Sequence, residues 1–331
     1  MNSELLLNPR RNLIINGNFT FDQRNASISS AKWTRSASTN QYSLDCWHYQ
    51  DDHGTFGTST VWRELWSLGN SLTDSKYYLR QQITGVPASG TVRRWSHRIE
   101  NVGTLANRKM GIAFLAWADT PFSITVEARQ HFGTGGTPSS DVVFGTTVVV
   151  LPTSATRHEL IFDVPSIVGK TLGTNNNHYL ELRFNLPLNV AISGFNLGDV
   201  VVSEDFPLQY GLASADSLTG ELILCQRYFE KSWNLETPVG TVTRIGANRV
   251  VGSTSIGQSF TLDTKFKVRK RDIPAFLYYA PDSGAVDNVT INGANVSNPG
   301  NDYVSEVNAT DEIISTVNTI CYWHWTARSE L

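Results

Sequence analysis

Apolar and polar residues alternate in short runs along most of this chain, broken by Gly, Asn, Ser, Thr and Pro. Phe122 to Arg129 sets Phe, Ile, Val and Ala against Ser, Thr, Glu and Arg. In His178 to Leu186, Leu180, Leu182 and Phe184 oppose Tyr179, Glu181, Arg183 and Asn185. A two-residue period sends successive side chains to opposite faces of a strand, so each run buries one face and wets the other. Lys109 to Asp119 is apolar enough for a core strand, and Thr146 to Leu151 and Arg157 to Val164 follow the alternating style. No helical pattern intervenes, which predicts an all-β sandwich rather than a parallel α/β sheet. No strict repeat of 20–50 residues is present.

One segment departs from this pattern. Ser217 to Glu230 places Leu218, Leu222, Cys225 and Phe229 at helical spacing, with Ser217 available as a cap. It follows a Gly/Ala/Ser stretch, Gly211 to Ser217, that reads as a domain boundary. Beyond it, strands are predicted at Gly240–Ile245, Arg249–Ser253, Ser259–Asp263, Ala275–Ala280, Asn288–Asn292 and Ile313–Thr326, enough for a second, smaller β-sandwich. Pro281-Asp-Ser-Gly284 is a turn signal. In the closing run, Cys321, Trp323 and Trp325 share one face and Tyr322, His324 and Thr326 the other. Aromatics on both faces predict that both are covered, with another subunit as one candidate cover.

Composition narrows the classes. A length of 331 residues suits about two domains. The formal net charge of -3 lacks the basic excess that bulk nucleic acid or an anionic membrane demands. No apolar stretch approaches the roughly 18 residues of a membrane span, and the N-terminus lacks the apolar core of a signal peptide. A cytoplasmically made protein with no membrane insertion is expected. Cys46, Cys225 and Cys321 are few and far apart, reading as small buried hydrophobes rather than a disulfide framework or metal cluster.

Motifs that carry chemistry are few in this chain. Gly169-Lys-Thr171 ends like a phosphate loop, but its first Gly would fall at Val164. Gly133 to Pro138 reads as a hairpin loop. His48 to His53 puts two His and two Asp within six residues, the best metal candidate, yet it fits no defined ligand spacing and reads as a polar loop. No Gly-x-Ser-x-Gly elbow or His-Glu-x-x-His motif occurs. No catalytic residue, metal or cofactor is therefore assigned. Lys265 to Arg271 is a basic run that reads as an exposed, solvated strand, with an anionic polysaccharide as a further partner for it.

Aromatic residues are the remaining candidates. A sugar's C–H face packs on a flat ring while nearby amides and charges bond its hydroxyls. Trp62 and Trp66 share a face if their segment is a strand, Trp95 and His97 lie among polar donors, and Tyr278 and Tyr279 precede a turn. Core packing is the competing role for each.

Several motifs resemble a known family. Asn12-Leu-Ile-Ile-Asn-Gly-Asn-Phe19, followed by Asp22-Gln-Arg24, resembles the opening strand of a recurrent bacteriophage tail-fibre and virion-fibre domain. Leu44-Asp-Cys-Trp47 stands where that family has Ala-Asp-Arg-Trp, with Cys46 replacing Arg. Leu79 to Ile83 and Ser96 to Glu100 resemble its Gln-Arg-Ile-Glu strand. Glu221 to Ser232 resembles its Cys-Gln-Arg-Tyr linker, and Phe266 to Pro274 with the Trp325 to Leu331 ending resemble its C-terminal module.

The resemblance covers nearly the whole chain. It implies an arm over residues 1–11 docking on another virion protein, a jelly-roll, carbohydrate-binding-module-like domain over 12–210, a linker with a short helix over 211–232, and a β-sandwich tip over 233–331. It also implies a homotrimeric tail or head fibre, located on the virion, that attaches to host surface polysaccharide without catalysis. Asn16, Gly17, Asp45 and Trp47 are implied fold determinants. A decoration or fibre-base protein that binds no sugar is one alternative, and a polysaccharide-depolymerising tailspike is another.

Overall fold

The computed structural model describes residues 12–28, 32–35, 38–54, 57–67, 72–86, 89–206, 217–252, 259–297, 303–314 and 319–331. The expected arm at 1–11 and the Gly/Ala/Ser stretch at 211–216 lie outside them. The chain divides into two compact units, and the division falls between Glu221 and Leu222. Phe21–Ala26 belongs to the second unit and Leu331 to the first.

The first unit contains β1 (Trp33–Arg35), β2 (Thr39–Leu44), β3 (Trp47–Asp51), β4 (Thr58–Leu65), β5 (Tyr77–Thr84), β6 (Arg93–Glu100), β7 (Lys109–Ala118), β8 (Phe122–His131), β9 (Val142–Leu151), β10 (Thr156–Asp163), β11 (Tyr179–Asn185) and β12 (Ile192–Glu204). They form two six-stranded antiparallel sheets, ordered β1-β4-β5-β12-β7-β10 and β2-β3-β6-β11-β8-β9. After β3 the chain changes sheet at most connections, which winds the sandwich as a jelly roll. The alternation explains the core. Ile112, Phe114 and Ala116 of the first sheet meet Trp47, Trp95, Leu182 and Phe184 of the second, all fully or almost fully buried. Each such large side chain contributes roughly 1.5–3 kcal/mol by leaving water.

The Asn12–Phe19 motif is a turn rather than the expected strand. Asn12 Oδ1 accepts the Val202 N–H at 3.0 Å, and Asn12 Nδ2 donates to the Val200 carbonyl at 3.1 Å. Val200 N–H in turn donates to the Gly17 carbonyl at 2.9 Å. These bonds latch the turn onto β12. A Cβ at Gly17 would lie 2.1 Å from the Val200 carbonyl oxygen, so only glycine fits. Asn16 adopts a φ of 57°, its side chain donates to the Asp45 carbonyl at 3.0 Å, and its carbonyl accepts from Trp47 Nε1 at 3.0 Å.

Helix α1 (Leu218–Gln226) is capped by Ser217 Oγ, which accepts the Gly220 N–H at 3.0 Å. It stops short of the expected Glu230 because Phe229–Lys231 extends as β13 and pairs with β21. The other strands of the second unit are β14 (Asn248–Val251), β15 (Ser259–Lys265), β16 (Ala275–Tyr279), β17 (Asn288–Ile291), β18 (Ala294–Ser297), β19 (Tyr303–Val304), β20 (Asn308–Ile314) and β21 (Ile320–Arg328). β21 is central. β14 and β17 border its first half, and β13 and β16 its second. A three-stranded sheet, β15-β20-β19, supplies Leu262 and Ile313 to a core shared with Phe276, Trp323 and Trp325.

Three strand expectations are corrected here. Gly240–Ile245 forms turns, and at its start the Thr241 N–H and hydroxyl both donate to the Pro238 carbonyl, at 3.3 and 2.8 Å. Ile313–Thr326 is divided between two strands. Lys265–Arg271 is not a solvated strand. Beyond Lys265 it turns inward, Phe266 packs on the core, and Lys270 is fully buried with its ammonium 2.5 Å from Glu230 Oε2. The second face of β21 is covered within the same unit. His324 is fully buried, and its ring stacks on Trp233 at 4.0 Å.

Candidate functional site

The outer face of the first sheet carries the candidate site. Val61, Leu79, Ala116 and Leu197 point inward, so their neighbours Trp62, Tyr78, Arg80, Asn196 and Trp117 point outward. The register sets Trp62 opposite Arg80, Arg80 opposite Asn196, and Asn196 opposite Trp117. Four strands thus contribute one continuous row. Trp66 follows β4 and is held by its Nε1–H to the Tyr77 carbonyl at 3.2 Å.

Three half-buried rings meet beside this row. Trp66 lies 4.8 Å from Tyr78 and 5.0 Å from Trp117, and Tyr78 lies 4.7 Å from Trp117, all tilted. Gly198 makes room for them, since a Cβ there would approach the Trp66 ring to 3.1 Å and Tyr78 Cβ to 3.3 Å. Next to the rings, Arg80 grips Asp119 with both terminal nitrogens, at 3.0 and 2.6 Å, and donates to Asn196 Oδ1 at 2.9 Å. Asn196 Nδ2 donates to the Trp117 carbonyl at 3.3 Å. The Tyr78 phenol is pushed up from its ordinary value by burial and by the Glu64 carboxylate, so it stays a hydroxyl donor at neutral pH. An apolar ring surface beside oriented polar groups can hold an amphipathic, hydroxyl-rich ring.

Of the six residues singled out in the sequence, Trp66 alone belongs to this ring cluster. Trp62 faces the same way but is only 3% exposed. Its Nε1 donates to Glu64 Oε2 at 2.7 Å, and Lys32 Nζ caps its ring at 3.9 Å. The surface role for Trp95, His97, Tyr278 and Tyr279 is corrected by their burial. Trp95 spans the sandwich core, where its Nε1 donates to Gln81 Oε1 at 2.8 Å. His97 packs on Trp47 at 5.3 Å, and burial lowers its pKa to about 4, so it is neutral at pH 7. Tyr278 is a core residue of the second unit, and Tyr279 lies edge-on to Trp233 at 5.2 Å. The polar neighbours of Trp95 and His97 in the chain misled, because alternation sends Arg94, Ser96 and Arg98 to the opposite face.

The sequence reading missed Tyr78, Arg80, Trp117, Asp119 and Asn196. Trp117 left a faint signal, as the outward bulky residue in the apolar run of β7. The rest join only through register.

The carboxylates of the His48–His53 segment serve the fold. Asp51 accepts from Tyr49 Oη at 3.0 Å, His53 N at 3.0 Å and Arg93 Nε at 3.1 Å, and it contacts His53 Nδ1 at 2.6 Å. Asp52 accepts the Thr91 and Val92 N–H groups, each at 2.8 Å. Asp51, Asp52 and His53 bring potential ligand atoms within 4.8 Å of one another, but protein donors already engage both carboxylates. Elsewhere, an open groove of about 500 Å³ is lined by the exposed Lys109–Asp163 pair, at 2.7 Å, and by the Arg108–Glu204 pair. Among the described residues no helix is long and apolar enough to cross a membrane.

No protein-family model matches this chain. No curated protein matches it either. Among solved structures, a CBM4 structure matches at 17% identity and a TM-score of 0.33, over 58% of this chain and 99% of its own. A family 11 carbohydrate-binding module from Clostridium thermocellum, in complex with a β-1,3-1,4-mixed-linked tetrasaccharide, matches at 10% identity and a TM-score of 0.33, over 54% and 98%. The enzymatically active domain of bacteriophage CBA120 tailspike protein 4 matches at 14% identity and a TM-score of 0.36, over 59% of this chain and 22% of its own. At such identities and scores these likenesses say nothing about ligand or activity.

Proposed function

We propose that this chain is a non-enzymatic, polysaccharide-binding protein of a bacteriophage fibre or spike, and that its first unit holds sugar on the outer face of the first sheet. The observation that carries the sugar reading is the half-buried cluster of Trp66, Tyr78 and Trp117 beside the Arg80–Asp119–Asn196 row. Rings that pack one another in this way are held in place before a ligand arrives, so less ordering entropy is lost on binding. The polar row then bonds hydroxyls at the rim of the sugar.

The virion role rests on the ordered fibre-like motifs of the sequence. In that role the protein is a homotrimer, residues 1–11 engage another virion protein, and weak single sites gain strength because linked copies raise one another's effective concentration.

The test is binding of the purified chain to surface polysaccharide from a susceptible host, with Trp117→Ala compared to wild type. Loss of one stacking ring, at ~1.4 kcal/mol, weakens binding about tenfold. The thermal midpoint should change little, because Trp117 lies outside the sandwich core. Full binding by a folded Trp117→Ala protein refutes the site. Light scattering tests the fibre reading separately, through a mass near three protomers.

A further inference from the structure

We infer that the outer face of the second sheet is a second ligand surface, and that it takes a carboxylate-bearing sugar at Arg94. The inference rests on the glycan reading for the sugar framework, whereas the anion at Arg94 stands on this face alone.

Register arranges the outward residues in rows. One row runs Gln50, Arg94, Asn185 and Thr125 across β3, β6, β11 and β8. The next runs His48, Ser96, Arg183 and Glu127, and a third runs Arg98, Glu181 and Arg129. This face carries almost no aliphatic surface on these strands, yet Glu181 is 1% and Arg183 5% exposed. Polar side chains buried on the outside of a sheet require partners, so the pairing can be followed atom by atom.

Glu181 accepts from Arg129 Nε and Arg183 Nε, each at 2.8 Å, and from Arg98 Nε at 3.4 Å. Glu127 accepts from Arg183 Nη1 at 2.8 Å, and Asp141 pairs with Arg129 at 2.6 Å. Among the described residues, Arg94 alone of these four arginines has no carboxylate at ion-pair distance. Its partner is the neutral Gln50 Oε1, 2.5 Å from Nη2. Arg94 Nε and Arg183 Nη2 are buried without an acceptor among the described residues. The surroundings are electropositive as well. Burial, together with Arg98 and Arg94, lowers the His48 pKa to about 3, and burial with Arg183 lowers Arg94 to about 10. Arg94 therefore keeps its charge at neutral pH, with Glu181 and Glu127 favouring that charge from beyond ion-pair distance and no carboxylate in direct contact among the described residues.

A half-buried cation without an anion is unfavourable, and a ligand carboxylate relieves it through charge-assisted hydrogen bonds. A guanidinium fork matches the planar carboxylate of a uronic acid. Gln50 and Asn185 flank Arg94 and supply amides for the sugar hydroxyls. Arg80 on the first sheet is already neutralised by Asp119, so that face suits a neutral sugar and the Arg94 face an anionic one.

The experiment measures binding of a galacturonate oligomer and of its carboxyl-reduced, neutral form to the full chain by calorimetry. Wild type should bind the acid form more tightly. Arg94→Gln should weaken the acid form by tenfold or more and leave the neutral form unchanged. Arg94→Lys, which keeps the charge and the fold but loses the fork, should fall between. Trp117→Ala should weaken the neutral form and preserve the dependence on Arg94. Equal affinity of wild type for both forms, or an unchanged acid affinity in Arg94→Gln, overturns the inference while leaving the glycan reading intact. No binding of either form overturns the inference, and the glycan reading is then decided by the host-polysaccharide assay alone.

Discussion

Replacing Glu181 by Gln tests the arginine-rich face without any ligand. Burial alone would raise this carboxyl, but Arg183, Arg98 and Arg129 outweigh it and lower its pKa from 4.5 to about 2. The unfolded chain therefore holds a proton over a range in which the fold does not. Stability from this group is fully present above pH 4.5 and is lost as pH falls toward 2. The gap corresponds to roughly 3 kcal/mol at pH 7, of which roughly half remains at pH 3. Glu181→Gln removes the charge and leaves buried guanidiniums uncompensated, so it should destabilise by about 3–5 kcal/mol at pH 7. Its deficit against wild type should shrink by roughly 2 kcal/mol at pH 3, where the carboxyl of the unfolded wild-type chain is protonated while that of the fold is still mostly ionised. Urea unfolding of both proteins at the two pH values, followed by tryptophan fluorescence, measures the difference directly. Other titrating groups are common to both proteins and largely cancel. An equal deficit at pH 7 and pH 3 would refute the reasoning, because it would mean that Glu181 stabilises by shape and not by charge.

Two further substitutions probe the frame. Gly17→Ala forces a Cβ against the Val200 carbonyl, which is backbone and cannot swing aside. It should cost about 3 kcal/mol or more or prevent folding of the first unit, and a thermal midpoint within a degree of wild type would contradict this. Lys270→Met strands the Glu230 carboxylate in the second unit and should cost about 3–5 kcal/mol, whereas the double variant Lys270→Met, Glu230→Leu should recover much of that loss in a denaturant titration.

The sandwich was legible wherever period-two alternation ran unbroken. In β11 the inward set of Leu180, Leu182 and Phe184 lies in the core as alternation requires. Its opposite face was expected to be wet, yet Tyr179, Glu181 and Arg183 are also buried. Neighbouring arginines reach over them and pair, which no single strand's pattern reveals. Around Trp95 the reverse error arose. Arginines beside it in the chain suggested a solvent-facing ring, although Arg93 itself is buried and neutralised by Asp51 at 3.1 Å. Lys270 shows the same effect, since a basic run reads as surface until a buried Glu230 meets it.

The candidate site was less legible than the fold. Trp66 was found through its four-residue spacing from Trp62, which puts both rings on one face of a strand. Trp117, Tyr78, Arg80, Asp119 and Asn196 come from separate stretches of β5, β7 and β12 and the turn after β7, and none is distinctive alone.

The sequence by itself determined the strand periodicity and the Ser217 cap, because each follows from local sterics or from the two faces of a strand. The demand for glycine at position 17 is tertiary, since the clash is with the Val200 carbonyl of β12. Tertiary structure alone decided which side chains share a row, since antiparallel register joins residues more than a hundred positions apart. It also decided which charges are paired. A strand dictates the direction of Arg94, but only the sheet shows that Glu127, Asp141 and Glu181 on its face are paired with other arginines.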